Sequence, residues 1–160
     1  MKKNDYLKID DTIYRILAVD KDNYLVLNCN TKNMPSWKKE SELAEGDIIS
    51  AEEAFNMLDI ELIEEELTGT AFKKAHERYT MIAGVLAFMN DDSLRNRAIA
   101  MAVDTYGISR RTLTTYFCNY LVTDNLASLV QKSRKKNRPM TDDEKIMRWA
   151  LNKFYYTRYK

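Results

Sequence analysis

Ala98-Ile-Ala-Met-Ala-Val-Asp-Thr-Tyr-Gly-Ile-Ser-Arg-Arg-Thr-Leu-Thr-Thr-Tyr-Phe-Cys-Asn-Tyr-Leu121 reads as helix, tight turn, helix. Leu94, Ala98, Met101, Ala102 and Thr105 recur with the 3.6-residue period and predict the buried stripe of the first helix. Gly107 stops that helix, because a glycine just past a helix end takes the left-handed conformation without a Cβ penalty. Ile108 supplies an apolar plug for the corner. Ser109 is a good N-cap, its hydroxyl placed to accept a backbone N–H two or three residues on. In the second helix Leu113, Phe117 and Leu121 fall at i, i+4 and i+8, with Tyr116 and Tyr120 beside them, and predict the buried face. Arg110, Arg111, Thr114, Thr115 and Asn119 remain on the other side. A helix that shows arginines, hydroxyls and an amide to water behind a short turn is what a helix-turn-helix lays in a DNA major groove.

The charge distribution fits that reading. The net charge of +1 conceals two unlike parts: residues 1–70 hold 8 Lys+Arg and 16 Asp+Glu, residues 71–160 hold 17 and 8. Such asymmetry implies different surroundings for the two halves, nucleic acid being the usual partner of the basic one. Between residues 108 and 138, Arg110, Arg111, Lys132, Arg134, Lys135, Lys136 and Arg138 face Asp124 alone.

The rest of the composition excludes several classes. The 160 residues suffice for one ordinary domain or two small ones, and 45% apolar content supports real cores. No run approaches the roughly 18 apolar residues of a spanning helix, and Met1-Lys-Lys-Asn-Asp-Tyr6 carries no apolar signal region. Cys29 and Cys118 stand far apart without CxxC spacing, which reads as two reduced thiols in a cytoplasmic protein. His76 is the single histidine and lacks partners at metal-ligand spacing, so it reads as an ordinary surface or interface residue. No nucleophile–base pair, phosphate loop or metal constellation appears, so no catalytic or metal residue is assigned and no cofactor is expected.

Upstream, residues 1–49 predict a small antiparallel β-module. Tyr6–Ile9, Thr12–Val19 and Tyr24–Cys29 are rich in β-branched and aromatic residues, separated by Asp10-Asp11 and Asp20–Asn23 as turns. Met34-Pro35 breaks the pattern, Trp37 leads an edge segment running to Leu43, and Glu45-Gly46-Asp47 is a turn. About 40 residues make a marginal core, so the module should lean on the helices or on a partner. Residues 50–70 form an acidic helical connector. Ser50 and Glu53 have the spacing of a capping box, and Ile60, Ile63 and Leu67 line one side of a further amphipathic stretch. The carboxylates Glu64–Glu66 point in three directions on a helix and read as a solvated face. Thr68-Gly69-Thr70 punctuates.

Residues 71–131 then make a three-helix unit. Its first helix, Ala71 to Met89, has Phe72, Ala75, Tyr79, Ile82, Val85, Leu86 and Met89 in register, and Asp92 or Ser93 caps the next. Asn125–Lys132 predicts a short helix or turn. Residues 132–140 have no apolar period and end in proline, a basic linker suited to phosphate or minor-groove contact. In 141–160, Thr141 and Glu144 repeat the capping-box spacing, and a last helix runs through Ile146, Trp149, Ala150 and Lys153 toward Tyr156, its aromatic stripe read as core. A helix that reaches Lys160 without a cap reads as continuing into further chain. The fold class expected is α+β, mostly α.

The order of these pieces resembles a known family. A β-module containing Tyr14-Arg-Ile-Leu17 is followed by a helical unit with Tyr106-Gly-Ile-Ser-Arg-Arg-Thr-Leu113. A basic linker and Thr141-Asp-Asp-Glu-Lys-Ile146 with Lys153-Phe-Tyr-Tyr156 complete it. Together they look like the N-terminal end-binding region of Mu/TnsB-type transposases, which are DDE enzymes with a retroviral-integrase-like catalytic domain. The resemblance implies binding of double-stranded DNA at transposon-end repeats, self-association on DNA, other element-encoded transposition proteins as partners, and a bacterial, nucleoid-associated location. It places Ser109, Arg110, Arg111, Thr112, Thr114, Thr115 and Asn119 where a recognition helix meets bases and phosphates. Lys132, Arg134, Lys135, Lys136 and Arg138 become the linker, and 142–158 the first helix of a second DNA-binding domain. The family's catalytic domain is absent, so its three metal-binding carboxylates, and the Mg they would hold, have no counterpart here. Val122-Thr-Asp-Asn-Leu-Ala-Ser-Leu129 stands where a glycine and a Leu-x-Pro are expected. Two other readings stay open: a stand-alone helix-turn-helix regulator, and a protein-interaction module with no DNA role.

Overall fold

The computed structural model describes residues 1–60, 69–130, 142–143 and 145–150. The acidic stretch after Ile60, the basic segment 132–140 and the end of the chain from 151 lie outside them, as do Thr141 and Glu144.

The three expected strands form where the β-branched and aromatic runs lie: β1 Tyr6–Ile9, β2 Thr12–Asp20 and β3 Asn23–Asn28. Asp10 and Lys21 make the two turns in left-handed backbone, at φ 53° and 54°. The segment led by Trp37 is strand only as far as Lys39 (β4, Ser36–Lys39) and then becomes a helical turn, α1 Glu40–Leu43. The turn at Gly46 is followed by β5, Asp47–Ile49, too short to show alternation in sequence. It pairs antiparallel with β1, giving one antiparallel sheet of order β4-β3-β2-β1-β5.

Both faces of this sheet are covered. Leu7, Ile16, Tyr24 and Val26 point to one side and pack with Leu43 of α1. Tyr6, Ile13, Leu17, Leu25, Leu27 and Cys29 point to the other and join the core of the helices. That two-sided burial is why Leu25-Val-Leu27 is an unbroken apolar run, since both faces of the pleat must be apolar. A register shift between Ile16 and Ala18 turns Leu17 and Ala18 toward the same side.

The helices are α2 Ala51–Met57, α3 Gly69–Leu86, α4 Asp92–Tyr106 and α5 Arg110–Thr123, with a 3-10 turn at Leu126–Leu129. Ser50 caps α2 by accepting from the Glu53 N–H at 3.1 Å. Asp91, one residue before the expected cap, accepts from the Leu94 N–H at 3.0 Å and starts α4. Gly69 and Thr70 are already helical, within α3, rather than a break before it. It packs against both α4 and α5, burying Ala75, Ile82 and Val85 while Phe72 stays outside.

The buried side of α4 matches the expected one only in part: Ala98 and Ala102 pack against the core. Leu94 is 41% exposed and Met101 70% exposed, whereas Arg95 and Ile99 are buried. The helix is rotated because Arg95 takes a buried place. It donates to the Met89 and Pro35 carbonyls and to the Asp92 carboxylate, at 2.7, 3.3 and 2.6 Å. A hydrophobicity pattern scores arginine as polar and turns the helix the wrong way. In the C-terminal helical residues 145–150, Ile146 and Trp149 are exposed, against the core role read for that stripe, whose Lys153 and Tyr156 lie outside the described residues.

Candidate nucleic-acid interface

Helix α5 is the element that meets both the other helices and the sheet. Gly107 ends α4 in the left-handed region at φ 65°, its N–H bonded to the Val103 carbonyl. Ser109 accepts from the Thr112 N–H at 3.1 Å and starts α5. Leu113, Phe117 and Leu121 are buried as their spacing requires, and Cys118 and Val122 are buried with them. On the α3 side, Tyr120 meets Tyr79 edge-on at 5.2 Å, and Arg78 lies over the Tyr116 ring at 4.9 Å.

The two halves of α5 have opposite surroundings. At its C-terminal end, two of the carbonyls that a helix leaves unpaired are taken by side chains of the sheet. Tyr6 donates its hydroxyl to the Val122 carbonyl at 2.6 Å, and Arg15 donates to the Leu121 carbonyl. Burial raises the Tyr6 pKa, so the phenol stays protonated as a donor. Arg15 also lies 3.9 Å from the carboxylate of Asp124, the left-handed residue that ends the helix. A buried cation at a helix C-terminus is favoured by the helix dipole. Sequence reading missed this clamp. One signal for it existed: Arg15 sits two residues from both Ile13 and Leu17, on the inward side of β2.

At the N-terminal end, Ser109, Arg110, Arg111 and Thr115 are exposed, while Thr112, Thr114 and Asn119 are half-buried. The side chains differ in what they have left to offer. Arg110 donates to the Asn96 side chain of α4 at 3.2 Å, so its guanidinium braces the corner. The Thr112 hydroxyl meets that of Ser109 at 2.8 Å. Thr114 donates to the Arg110 and Arg111 carbonyls, both at 3.0 Å, and Thr115 to the Arg111 carbonyl at 2.8 Å. With these protons held by the main chain, the two threonine hydroxyls are left as acceptors. The Arg111 guanidinium has no hydrogen-bond or ion-pair partner among the described residues. Arg111, Thr115 and Asn119 stand at i, i+4 and i+8 and so share one side of the helix.

No family model and no curated protein matches this chain. The candidate interface therefore stands on its own geometry. Of the predicted site residues, α5 gathers Ser109, Arg110, Arg111, Thr112, Thr114, Thr115 and Asn119. Lys132, Arg134, Lys135, Lys136 and Arg138 fall outside the described residues. Among the described residues no group of three His, Cys, Asp or Glu could hold a metal ion, and no helix is long and apolar enough to cross a membrane. His76 is exposed beside the Phe72 ring.

Proposed function

We propose that this chain binds double-stranded DNA through the N-terminal half of α5, as the end-binding region of a Mu/TnsB-type transposase. The observation that carries the reading is the polarity of α5 along its length: its C-terminal carbonyls are held under the sheet, while Arg111 and Thr115 stand open to solvent. A helix held at one end and bare at the other suits insertion into a major groove, with α4 crossing behind it as the first helix of a helix-turn-helix.

Each polar group on this side has a matching base edge. Arg111 fits guanine O6 and N7, the Asn119 amide fits adenine N6 and N7, and a threonine methyl fits the thymine methyl. Arg110, tied to Asn96, is better placed for a phosphate. The linker cations Lys132, Arg134, Lys135, Lys136 and Arg138 would supply sequence-independent, salt-dependent affinity. The resemblance to transposase end-binding regions supplies the biological setting, in which the DNA is the repeated sequence at transposon ends.

The test is selection of the full chain on a randomised duplex pool, followed by fluorescence anisotropy with the enriched duplex and a scrambled one over a salt series. The expected result is an enriched motif bound more tightly than the scramble, with affinity falling as salt rises. Absence of salt-sensitive binding to any duplex would overturn the reading in favour of a protein-interaction module.

A further inference from the structure

The β3–β4 loop, residues 29–35, belongs to the acidic half of the chain but does not lie with the acidic surface. It is fastened to both helices of the candidate interface. The Cys118 thiol of α5 meets the Asn33 carbonyl at 3.7 Å and the Met34 sulfur at 4.0 Å. Arg95 of α4 donates to the Pro35 carbonyl at 3.3 Å. Cys118 follows Arg111 and Thr115 at i+7 and i+3, so the loop sits where the exposed stripe of α5 passes under cover. One step from Thr115 to Cys118 is only about 4.5 Å along the helix axis.

This loop carries Lys32. Its backbone is left-handed at φ 53° and its side chain is exposed. Its ammonium has no carboxylate partner among the described residues. Its charge is felt at both neighbouring thiols. Burial pushes Cys118 up to about 11 and Cys29 up to about 12, and Lys32 is among the cations that pull each of them back down. An extended lysine side chain carries its ammonium roughly 6 Å from the loop backbone.

We infer that Lys32 is a DNA-backbone contact: the β3–β4 loop presents its ammonium to a phosphate flanking the groove that α5 enters. The inference rests on the DNA-binding reading above and gives the β-module a direct part in it. A duplex lying on Arg111 and Thr115 meets this loop next, and the unpaired cation is what a phosphate requires there.

A matched control is built into the sheet. Lys21, at φ 54° in the β2–β3 turn, has the same backbone conformation and exposure but lies at the opposite end of β3. Glycine accepts that conformation, so Lys32→Gly and Lys21→Gly both delete a charge without backbone strain. The experiment measures binding of the full chain to one duplex by anisotropy over a salt series. Lys32→Gly is expected to reduce the slope of log K against log[salt] by about 0.9. Its affinity deficit at about 50 mM salt should then shrink roughly threefold by about 200 mM. Lys21→Gly should keep the parent slope, and Lys32→Arg should restore it. If Lys32→Gly keeps the parent slope while Arg111→Ala weakens binding, the loop contact is refuted and the α5 reading survives. If the parent shows no salt-sensitive binding, both fall.

Discussion

The Tyr6 hydroxyl donates to the Val122 carbonyl at 2.6 Å, so a side chain on the first strand completes the end of the helix that carries the candidate interface. Tyr6 is 5% exposed and also meets Phe55 of α2 edge-on at 5.6 Å. Tyr6→Phe keeps the ring and leaves the carbonyl unpaired in a buried setting. It should cost about 1–2 kcal/mol of stability, read from the urea midpoint. Because sheet and helices share a core, near- and far-ultraviolet circular dichroism should report one coincident transition.

Arg110 and Arg111 are neighbours in sequence with different work to do. Arg111→Ala should weaken the enriched duplex by about 1–3 kcal/mol and blur discrimination at one base pair. Arg110→Ala should weaken enriched and scrambled duplexes alike, because the bond to Asn96 turns its guanidinium away from the stripe. Competition binding with single-base-pair variants separates the two effects.

Lys135, in the basic segment, should act as a pure backbone cation. Lys135→Ala is expected to lower affinity for every duplex by a similar factor and to flatten the salt slope by about 0.9, measured by the same titration.

Two glycines predict alanine effects with different origins. A Cβ at Gly46 would lie 2.6 Å from Leu7 Cγ, with Leu7 Cδ1 and Ile9 Cγ1 both at 2.9 Å. Gly46→Ala should therefore cost about 1–3 kcal/mol through overpacking. At Gly107 there is open space around the missing Cβ, but φ is +65°. Gly107→Ala should cost about 1–2 kcal/mol through backbone strain alone. Gly107→Asn, whose residue tolerates that region, should recover part of the loss. Chemical denaturation of the three variants checks both causes.

The two thiols make stability fall at alkaline pH. Burial raises Cys118 to about 11 and Cys29 to about 12, from an ordinary value of 9.0. Above pH 9 the unfolded chain releases these protons while the folded one retains them. Stability contributed by the protonated thiols is thus complete below pH 9 and declines as pH rises toward 11 and 12. Urea midpoints should drop between about pH 8.5 and pH 10.5, and the drop should be smaller in Cys118→Ala. At neutral pH both thiols should resist alkylation until the protein unfolds.

Local rules found what depends on near neighbours. The first three strands, the caps Ser50 and Ser109, the stop at Gly107 and the buried line Leu113–Phe117–Leu121 all follow from residues a few positions apart. Strand β5 escaped because three residues after a glycine carry no period, and its partner β1 lies some forty residues earlier. The rotation of α4 escaped because Arg95 is buried by carbonyls from Met89 and Pro35, which no pattern within α4 contains. In the candidate site, helical spacing was enough to separate the polar side of α5 from its buried side. It could not show that Arg110 is braced by Asn96, that the threonine hydroxyls turn inward, or that Arg15 and Tyr6 close the far end. The threonine bonds are local but leave no mark in the pattern of residue types, and the other two depend on contacts between distant parts of the chain.

The covering of both sheet faces has an electrical consequence. The carboxylates Glu40 and Glu42 ride on α1, whose Leu43 packs on the sheet face opposite the helical core. The core that joins the sheet to the helices fixes those carboxylates and the Arg110–Arg111 end of α5 in one body. In the field of a polyanion such a body feels a torque as well as a pull, and it turns cation-first before it touches. In the proposed complex the pole carrying those carboxylates faces away from the duplex, toward solvent.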